Sequence, residues 1–333
     1  MNTSDAINGV TAIGMALQDA MAADENVIVL GEDVADAEGG GVVGITKGLS
    51  ERFGTQRVRS TPISEQAIVG AAIGASLVGM RPVAEIMLMN FTTVAMDMIV
   101  NHAAKLRFMS GGQTHVPITI RTMTGAGFGN GGQHSDFLEA WFAHTAGLKI
   151  VVPSNPADAY GLMLSCVADP DPCIFIEPLS VLFAPGAPPK RGVPVPLGRA
   201  NVVREGTDIT IVTYGPQVPM AAALAEKLKN EVSVEVVDLR SIAPLDYETI
   251  LRSVSKTRRA VIVHEAVKKH GVGAEIAASI NEALFRELES PILRVGAKFC
   301  PVPFSKPLES AYLPTLDEME AAVRDSFSRQ ARR

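Results

Sequence analysis

Short apolar runs alternate with amphipathic segments along this chain. In residues 6–23 the side chains of Ile13, Leu17 and Met21 recur at the spacing of one helix face, and the apolar run 27–30 that follows has the length of a buried strand. The same alternation predicts strands at 81–89, 116–122, 149–152 and 173–177 and helices at 91–109, 135–142 and 156–168. This pattern is typical of a parallel sheet covered by helices on both faces.

The periodic pattern stops in a proline-rich stretch. The prolines between 178 and 196 are irregularly spaced, which is typical of a stiff linker: Pro178, Pro185, Pro188, Pro189, Pro194 and Pro196. A second series follows, with predicted strands at 209–213, 232–237, 260–263 and 292–295 and helices at 219–228, 247–254 and 273–288. The sequence therefore predicts an α/β protein with domains at 1–180 and 201–333, joined by a linker at 181–200.

Composition narrows the class of protein. The 333 residues are 47% hydrophobic and 20% charged, with a net charge of −6 and no long Lys/Arg tract, which argues against nucleic acid as the main partner. Three cysteines without a CxxC pair suggest no disulfide framework and a reducing compartment. The polar chain start at 1–5 does not resemble a secretory signal, and no apolar run approaches the roughly 18 residues that cross a bilayer. We expect a cytoplasmic protein that binds neither nucleic acid nor membrane.

The first candidate for chemistry is a carboxylate placed directly before a run of small residues. Pro62 favours extended backbone at Thr61, and Ser64 can cap a helix whose first turn contains Glu65. The small residues at 70–76 allow other backbone, or a flat ligand, to approach closely. The alternative is a capped core helix with a solvated glutamate.

Two further features stand out. His134 follows the glycine-rich loop 125–132, so it is a candidate to meet a substrate, although a surface or capping histidine is the alternative. Glu65 and His134 both lie at strand-to-loop junctions of the predicted first domain, so the fold could bring them to one sheet edge. Asp169 and Asp171 follow a helix and fit either an oxygen cage for a hard cation or a plain turn.

Six motifs together resemble one family. They are GEDV at 31–34, TPISE at 61–65, RPVAE at 81–85, QHS at 133–135, GLKIVVP at 147–153 and VDLR at 237–240. In this order the chain resembles the beta subunit of the thiamine-diphosphate-dependent decarboxylase component of pyruvate, branched-chain 2-oxo acid and acetoin dehydrogenase complexes. The resemblance implies a transketolase-like pyrimidine-binding domain followed by a transketolase C-terminal domain.

The resemblance also implies a set of site residues. Glu65 matches the carboxylate that contacts N1′ of the cofactor's pyrimidine ring. His134 matches the histidine that guides substrate and the acyl transfer to a lipoyl group. The other matched cofactor contacts are Glu32, Ile63, Met87 and Phe91, where Met87 replaces the glutamine of some relatives. A monovalent cation, usually K⁺, is implied at Ile118, Cys166, Val167, Asp169 and Asp171, although the last position is commonly Asn.

Partners follow from the same resemblance. The Gly-Asp-Gly motif that begins the diphosphate and magnesium site of such enzymes does not occur in this sequence. We therefore expect an alpha subunit to hold the diphosphate and Mg²⁺, in an α2β2 heterotetramer that passes acyl groups to a lipoyl acyltransferase component. The alternatives are a two-chain thiamine-dependent acyloin synthase or acyltransferase outside a complex, and a non-catalytic structural subunit. The choice among pyruvate, branched-chain 2-oxo acids and acetoin stays open.

Overall fold

The structure, a computed structural model, describes residues 6–328, which form two compact units. The first comprises the chain up to Thr124 together with Trp141–Leu197, and the second comprises Gly125–Ala140 together with the chain from Gly198 onwards. The polar chain start at 1–5 lies outside the described residues, as do residues 329–333.

The strands follow the predicted series, with short additions. In chain order they are β1 Val27–Gly31, β2 Val58–Ser60, β3 Arg81–Leu88, β4 Thr119–Thr124, β5 Lys149–Val151, β6 Cys173–Pro178, β7 Asn201–Arg204, β8 Ile209–Thr213, β9 Val234–Asp238, β10 Ser241–Ala243, β11 Ala260–Val267 and β12 Leu293–Ala297. The sequence did not predict β2, β7 and β10, because three or four residues carry too little periodicity.

The α-helices vary from four to fifteen residues. They are α1 Gly9–Ala23, α2 Leu49–Phe53, α3 Glu65–Leu77, α4 Leu106–Met109, α5 Gly132–Ser135, α6 Glu139–Ala143, α7 Pro156–Ala168, α8 Leu179–Phe183, α9 Gln217–Leu228, α10 Tyr247–Thr257, α11 Val272–Leu284, α12 Lys306–Tyr312 and α13 Leu316–Ser328. α1 begins after Asn8, whose side chain accepts the Thr11 N–H, and α7 begins after Asn155, which caps the Asp158 N–H.

The first unit is built around a parallel sheet in the order β5-β6-β4-β3-β1-β2. Every residue of β1, β4 and β6 is buried, as expected for strands covered on both faces. On one side α1 packs against α7, and their apolar faces form one core with Val29, Val83 and Phe175. The parallel sheet predicted from the apolar runs is confirmed.

The second unit has a sheet in the order β12-β11-β8-β9-β7. Its strands are parallel except β7, which pairs antiparallel with β9 at one edge. The core of this unit joins β8, β9 and β11 to α9 and α13 through Ile211, Val236, Val263, Leu224 and Val323. The two α/β sheets match the predicted fold class.

The prediction of one long α-helix at 91–109 is wrong, because the segment is divided into three short helices of different types. A 3₁₀ helix at Met89–Ala95 is followed by a π-helix at Met98–Ala103 and then by α4. The hydroxyls of Thr92 and Thr93 donate to the carbonyls of Met89 (2.5 Å) and Asn90 (2.8 Å). Such bonds compete with the regular α-helical ladder, and periodicity alone does not reveal them.

The predicted helix at 135–142 is also divided in two. α5 ends at Ser135, because Asp136 has extended backbone (φ −65°, ψ 131°), and α6 begins at Glu139. His134 is therefore in a one-turn helix and is separated from α6 by a short extended segment.

Gly147 links α6 to β5 in a conformation that only glycine accommodates. Its φ is +102°, and an added Cβ would lie 2.0 Å from the carbonyl oxygen of Ala104.

We expect Gly147→Ala to lower the free energy of unfolding by about 3 kcal/mol or more, because backbone strain of about 1–3 kcal/mol is joined by a clash with backbone. Gly79→Ala is the matched control, since Gly79 has φ +98° but no atom within 4 Å. Equal losses in denaturant titrations of both variants would show that strain alone matters.

Candidate active site

Glu65 occupies the first turn of α3, as the sequence predicts. Ser64 stands at the N-cap position, but its side chain caps no N–H of this helix, so the expected hydroxyl cap is absent in the described chain. The helix is instead started by its backbone, with the Ile68 N–H donating to the Ser64 carbonyl at 2.9 Å. Glu65 is half-buried.

Glu32 interacts electrostatically with Glu65. Burial raises the pKa of Glu32, and the negative charges of Glu65, Asp33 and Glu85 raise that pKa further. β1 ends at Gly31, directly before Glu32, so the two carboxyl groups come from the end of a strand and the start of a helix within one unit. The structure thus brings together Glu32 and Glu65, two of the predicted cofactor contacts. Of the two, Glu32 is the carboxyl group whose pKa is raised, so it retains a proton more readily.

A glycine-containing loop crosses above the buried carboxylate of Glu85. A Cβ on Gly41 would lie 3.3 Å from Glu85 Oε1, and one on Gly31 would lie 2.8 Å from Glu85 Cβ. Asp36 anchors the loop by accepting the Ser50 hydroxyl at 2.6 Å and the Glu51 N–H at 2.8 Å. Sequence reasoning assigned no role to Glu85 or Asp36, although Glu85 lies inside the RPVAE motif.

The apolar residues predicted to contact the cofactor ring lie directly before α3 or in elements that pack against it. Ile63 is 81% exposed, which is unusual for an isoleucine, and Met87 and Phe91 are half-buried. Phe91 is carried by the 3₁₀ helix that follows β3, and α3 packs against that helix. The chain thus has an exposed apolar side chain two residues before a half-buried carboxylate.

His134 belongs to the second unit. It is exposed, and the loop before it is held by two glutamates of that unit: the Ala126 N–H donates to Glu265 (2.8 Å), and the Gly127 N–H donates to Glu309 (2.6 Å). Glu65 and His134 therefore lie in different compact units, whereas the sequence placed both at junctions of one domain.

Buried acidic groups surround this loop segment. Glu139 is fully buried and accepts the Tyr214 hydroxyl at 2.6 Å. Burial raises the pKa of Glu139 to about 7, and burial likewise raises the pKa of Glu265 to about 7. Both groups therefore retain a proton more readily than an exposed carboxyl group does. Sequence reasoning missed them, because single glutamates inside apolar runs carry no motif.

Basic side chains bind to residues of the predicted cation site. Lys149 Nζ lies 2.6 Å and 2.7 Å from the two carboxylate oxygens of Asp169, and Arg107 pairs with Asp171 at 2.5 Å. Arg81 donates to the Val167 carbonyl at 3.0 Å. No cluster of three or more His, Cys, Asp or Glu side chains that could hold a metal occurs within residues 6–328. The two carboxylates are thus paired with basic side chains, while each backbone carbonyl of this segment has a second lone pair that could bind a cation.

Family models match both halves of the chain. The transketolase pyrimidine-binding domain matches residues 5–183, and the transketolase C-terminal domain matches residues 198–319. The beta subunit of acetoin:2,6-dichlorophenolindophenol oxidoreductase from Cupriavidus necator is 44% identical over 95% of this chain and 96% of its own length. The 3-methyl-2-oxobutanoate dehydrogenase subunit beta from Mycobacterium tuberculosis is 44% identical, covering 93% of this chain and 89% of that protein.

The chain belongs to the family of 2-oxo acid and acetoin dehydrogenase beta subunits. A more distant member, the mitochondrial pyruvate dehydrogenase E1 subunit beta-2 of Oryza sativa subsp. japonica, is 41% identical over 94% of this chain and 84% of that protein. A solved structure titled split gene transketolase, inactive beta4 tetramer, has a TM-score of 0.80 at 23% identity and covers 98% of this chain and 99% of that chain, which supports the fold.

These matches confirm that the chain is a dehydrogenase beta subunit. They also confirm the fold class and the oxidoreductase class that the motifs predicted. The relatives' names do not favour an acyloin synthase or a non-catalytic subunit. Family membership implies thiamine diphosphate as cofactor, and the designation of the relatives as beta subunits implies an alpha partner. Within residues 6–328, no helix is both long and apolar enough to cross a membrane.

Proposed function

We propose that this chain is the beta subunit of a thiamine-diphosphate-dependent dehydrogenase component that cleaves a 2-oxo acid or acetoin and passes the acyl group to a lipoyl domain. The observation that carries this proposal is the half-buried Glu65 at the start of α3, next to Glu32, whose pKa is raised by burial and by the charge of Glu65. A carboxyl group that exchanges a proton with a ring nitrogen benefits from partial burial.

Each predicted residue has a distinct task. Glu65 holds the proton at the pyrimidine N1′, and Glu32 keeps a second acidic group beside it. Ile63, Met87 and Phe91 supply apolar surface for the ring. When bound, thiamine diphosphate supplies an electron sink for the carbanion released by bond cleavage. The protein contributes binding, orientation and proton control.

The remaining parts of the assembly extend the proposal. An alpha subunit holds the diphosphate and Mg²⁺, the two chains form an α2β2 heterotetramer, and the enzyme works in the cytoplasm. K⁺ binds through the carbonyls of Ile118, Cys166 and Val167, with Asp169 and Asp171 nearby. As segments of the sequence, the two domains run over 1–180 and 201–333 with a linker at 181–200, although Gly125–Ala140 packs with the second compact unit.

A shared cofactor site predicts weak binding by the chain alone. We expect the purified beta chain, titrated calorimetrically with thiamine diphosphate and Mg²⁺, to give no stoichiometric binding, because the diphosphate contacts come from the alpha subunit. The same titration of the co-expressed pair is the control and should give one cofactor per αβ unit. Tight binding by the beta chain alone would contradict this division of the site.

His134 is expected to act mainly after cleavage. We predict that His134→Ala lowers acylation of a lipoylated acceptor by about a hundredfold, within the range for a general acid–base group, and lowers dye-linked cleavage less. The exposed His144, replaced by Ala, is the matched control and should leave both rates near wild type. Equal losses in the two half-reactions of His134→Ala would refute this role.

One assay tests the function as a whole. The co-expressed pair is supplied with pyruvate, acetoin or 3-methyl-2-oxobutanoate, first with a dye acceptor and then with a lipoylated domain. Substrate-dependent reduction of the dye together with acylation of the lipoyl group supports the proposal. Carbon–carbon bond formation without any lipoyl acylation would instead indicate an acyloin synthase.

A further inference from the structure

We propose that Glu265 and Glu309 are positioning residues that fix the loop 125–132 and thereby place His134 for acyl transfer. This inference rests on the proposed role of His134 and adds the groups through which the fold controls it. Loop and glutamates all belong to the second compact unit.

Glu309 provides two of the contacts. Its Oε1 accepts the Gly127 N–H at 2.6 Å, and its two carboxylate oxygens lie 3.2 Å and 3.1 Å from the Gly129 nitrogen. The residue is only 1% exposed, in the first turn of α12. A buried carboxylate that accepts backbone N–H groups forms charge-assisted bonds, which are stronger than neutral ones.

Glu265 provides the third contact from a different element. It lies in β11, is 5% exposed, and accepts the Ala126 N–H at 2.8 Å through Oε1. The loop is thus bound from the central part of the sheet and from a helix near the end of the chain. Two anchors on separate elements restrain both the position and the direction of the loop.

The loop needs such anchors because its backbone has little intrinsic preference. Gly127 and Gly129 have φ of +104° and +73°, in the region that glycine populates most readily. His134 follows in the short helix Gly132–Ser135, which has too few residues to hold its own orientation. Without the carboxylates, we expect the backbone of the loop to become less restrained and His134 to shift from its position.

A purely structural role makes a different prediction. A buried glutamate that only stabilises the fold would, when removed, lower both half-reactions together as folded enzyme is lost. A positioning residue lowers the step that depends on His134. The two roles therefore separate in the ratio of lipoyl acylation to dye-linked cleavage.

The test uses the co-expressed αβ complex with thiamine diphosphate and Mg²⁺. We expect Glu309→Ala to lower lipoyl acylation by about ten- to a hundredfold, since a misplacement of about 1 Å can cost that much, while dye-linked cleavage changes less than about threefold. Glu309→Gln keeps one acceptor oxygen and should recover part of the loss. Glu309→Ala combined with His134→Ala should be no worse than His134→Ala alone, because both act on one step.

Glu235→Ala is the matched control, since Glu235 is also a buried glutamate of the second unit that accepts a backbone N–H, from Gly206 at 3.2 Å. It should leave the ratio of the two half-reactions unchanged.

Hydrogen exchange of the amides at 126–132 gives a readout that needs no turnover and should accelerate in Glu309→Ala and in Glu265→Ala. Unchanged exchange, or equal losses in both half-reactions, overturns the proposal. Accelerated exchange without any selective effect of His134→Ala rejects the role of His134 and leaves only a structural anchor, which also overturns it.

Discussion

Replacing Glu65 with glutamine is expected to lower dye-linked cleavage by the reconstituted complex by at least about a hundredfold, because a proton-transferring side chain contributes about 10²- to 10⁴-fold. Glutamine fills the same volume and still accepts a hydrogen bond, but it cannot take up and release a proton. The side chain is half-buried at the start of α3. Its replacement removes one negative charge beside Glu32, and the pKa of Glu32 should fall as a result.

The control for Glu65→Gln is Glu51→Gln. Glu51 is also a first-turn glutamate in the first unit, in α2, but it is exposed and is not one of the predicted ring contacts. It should leave activity near wild type. Both complexes should elute with the wild-type mass in size-exclusion chromatography with light scattering, which separates catalysis from assembly. Near-normal cleavage by Glu65→Gln would rule out the proposed proton transfer.

The largest expected effect on stability comes from Arg121, at the centre of the first sheet. Its side chain is 1% exposed and donates two bonds to Glu177, at 2.7 Å and 2.9 Å, and one to Glu85. We predict that Arg121→Met lowers the free energy of unfolding by about 3–5 kcal/mol, because it leaves two buried carboxyl groups without their counter-charge. Denaturant titration of the variant measures the loss.

The loss should depend on pH in a defined direction. Burial raises the pKa of Glu85 and of Glu177, against the attraction of Arg121. Removing the guanidinium raises both pKa values further, so the folded variant binds more protons than its unfolded chain above the ordinary glutamate pKa. Its stability therefore falls more steeply than that of the wild type as the pH rises, and the loss is largest in alkaline and smallest in acidic buffer.

Two further variants test the electrostatic origin of this effect. Arg204→Met removes an arginine from a solvent-exposed ion pair with Glu226, and it should change the stability little because water screens such pairs. Adding Glu85→Gln and Glu177→Gln to Arg121→Met should restore part of the lost stability, since the buried charges are then removed together. Failure of this triple variant to recover any stability would show that packing, and not charge, explains the loss.

The sequence by itself determined the elements and the family. Regular apolar spacing predicted α7 and β8 at the residues where the structure has them, because each buries one complete face or run. The ordered motifs identified the family, and the capping pattern at Pro62 and Ser64 placed Glu65 in the first turn of a helix. These features are local, so a short stretch of chain contains all the information that they need.

The tertiary structure decided what depends on partners distant in sequence. Glu265 and Glu309 bind the loop before His134 from 139 and 182 residues away, and this contact groups 125–140 with the second unit. Lys149 meets the carboxylate of Asp169 only because the fold brings 149 and 169 together. Burial, ion pairing and the pKa of a carboxyl group all depend on such neighbours. The identity of Glu65 as a candidate was therefore encoded locally, whereas the groups that hold His134 emerged only when the chain had folded.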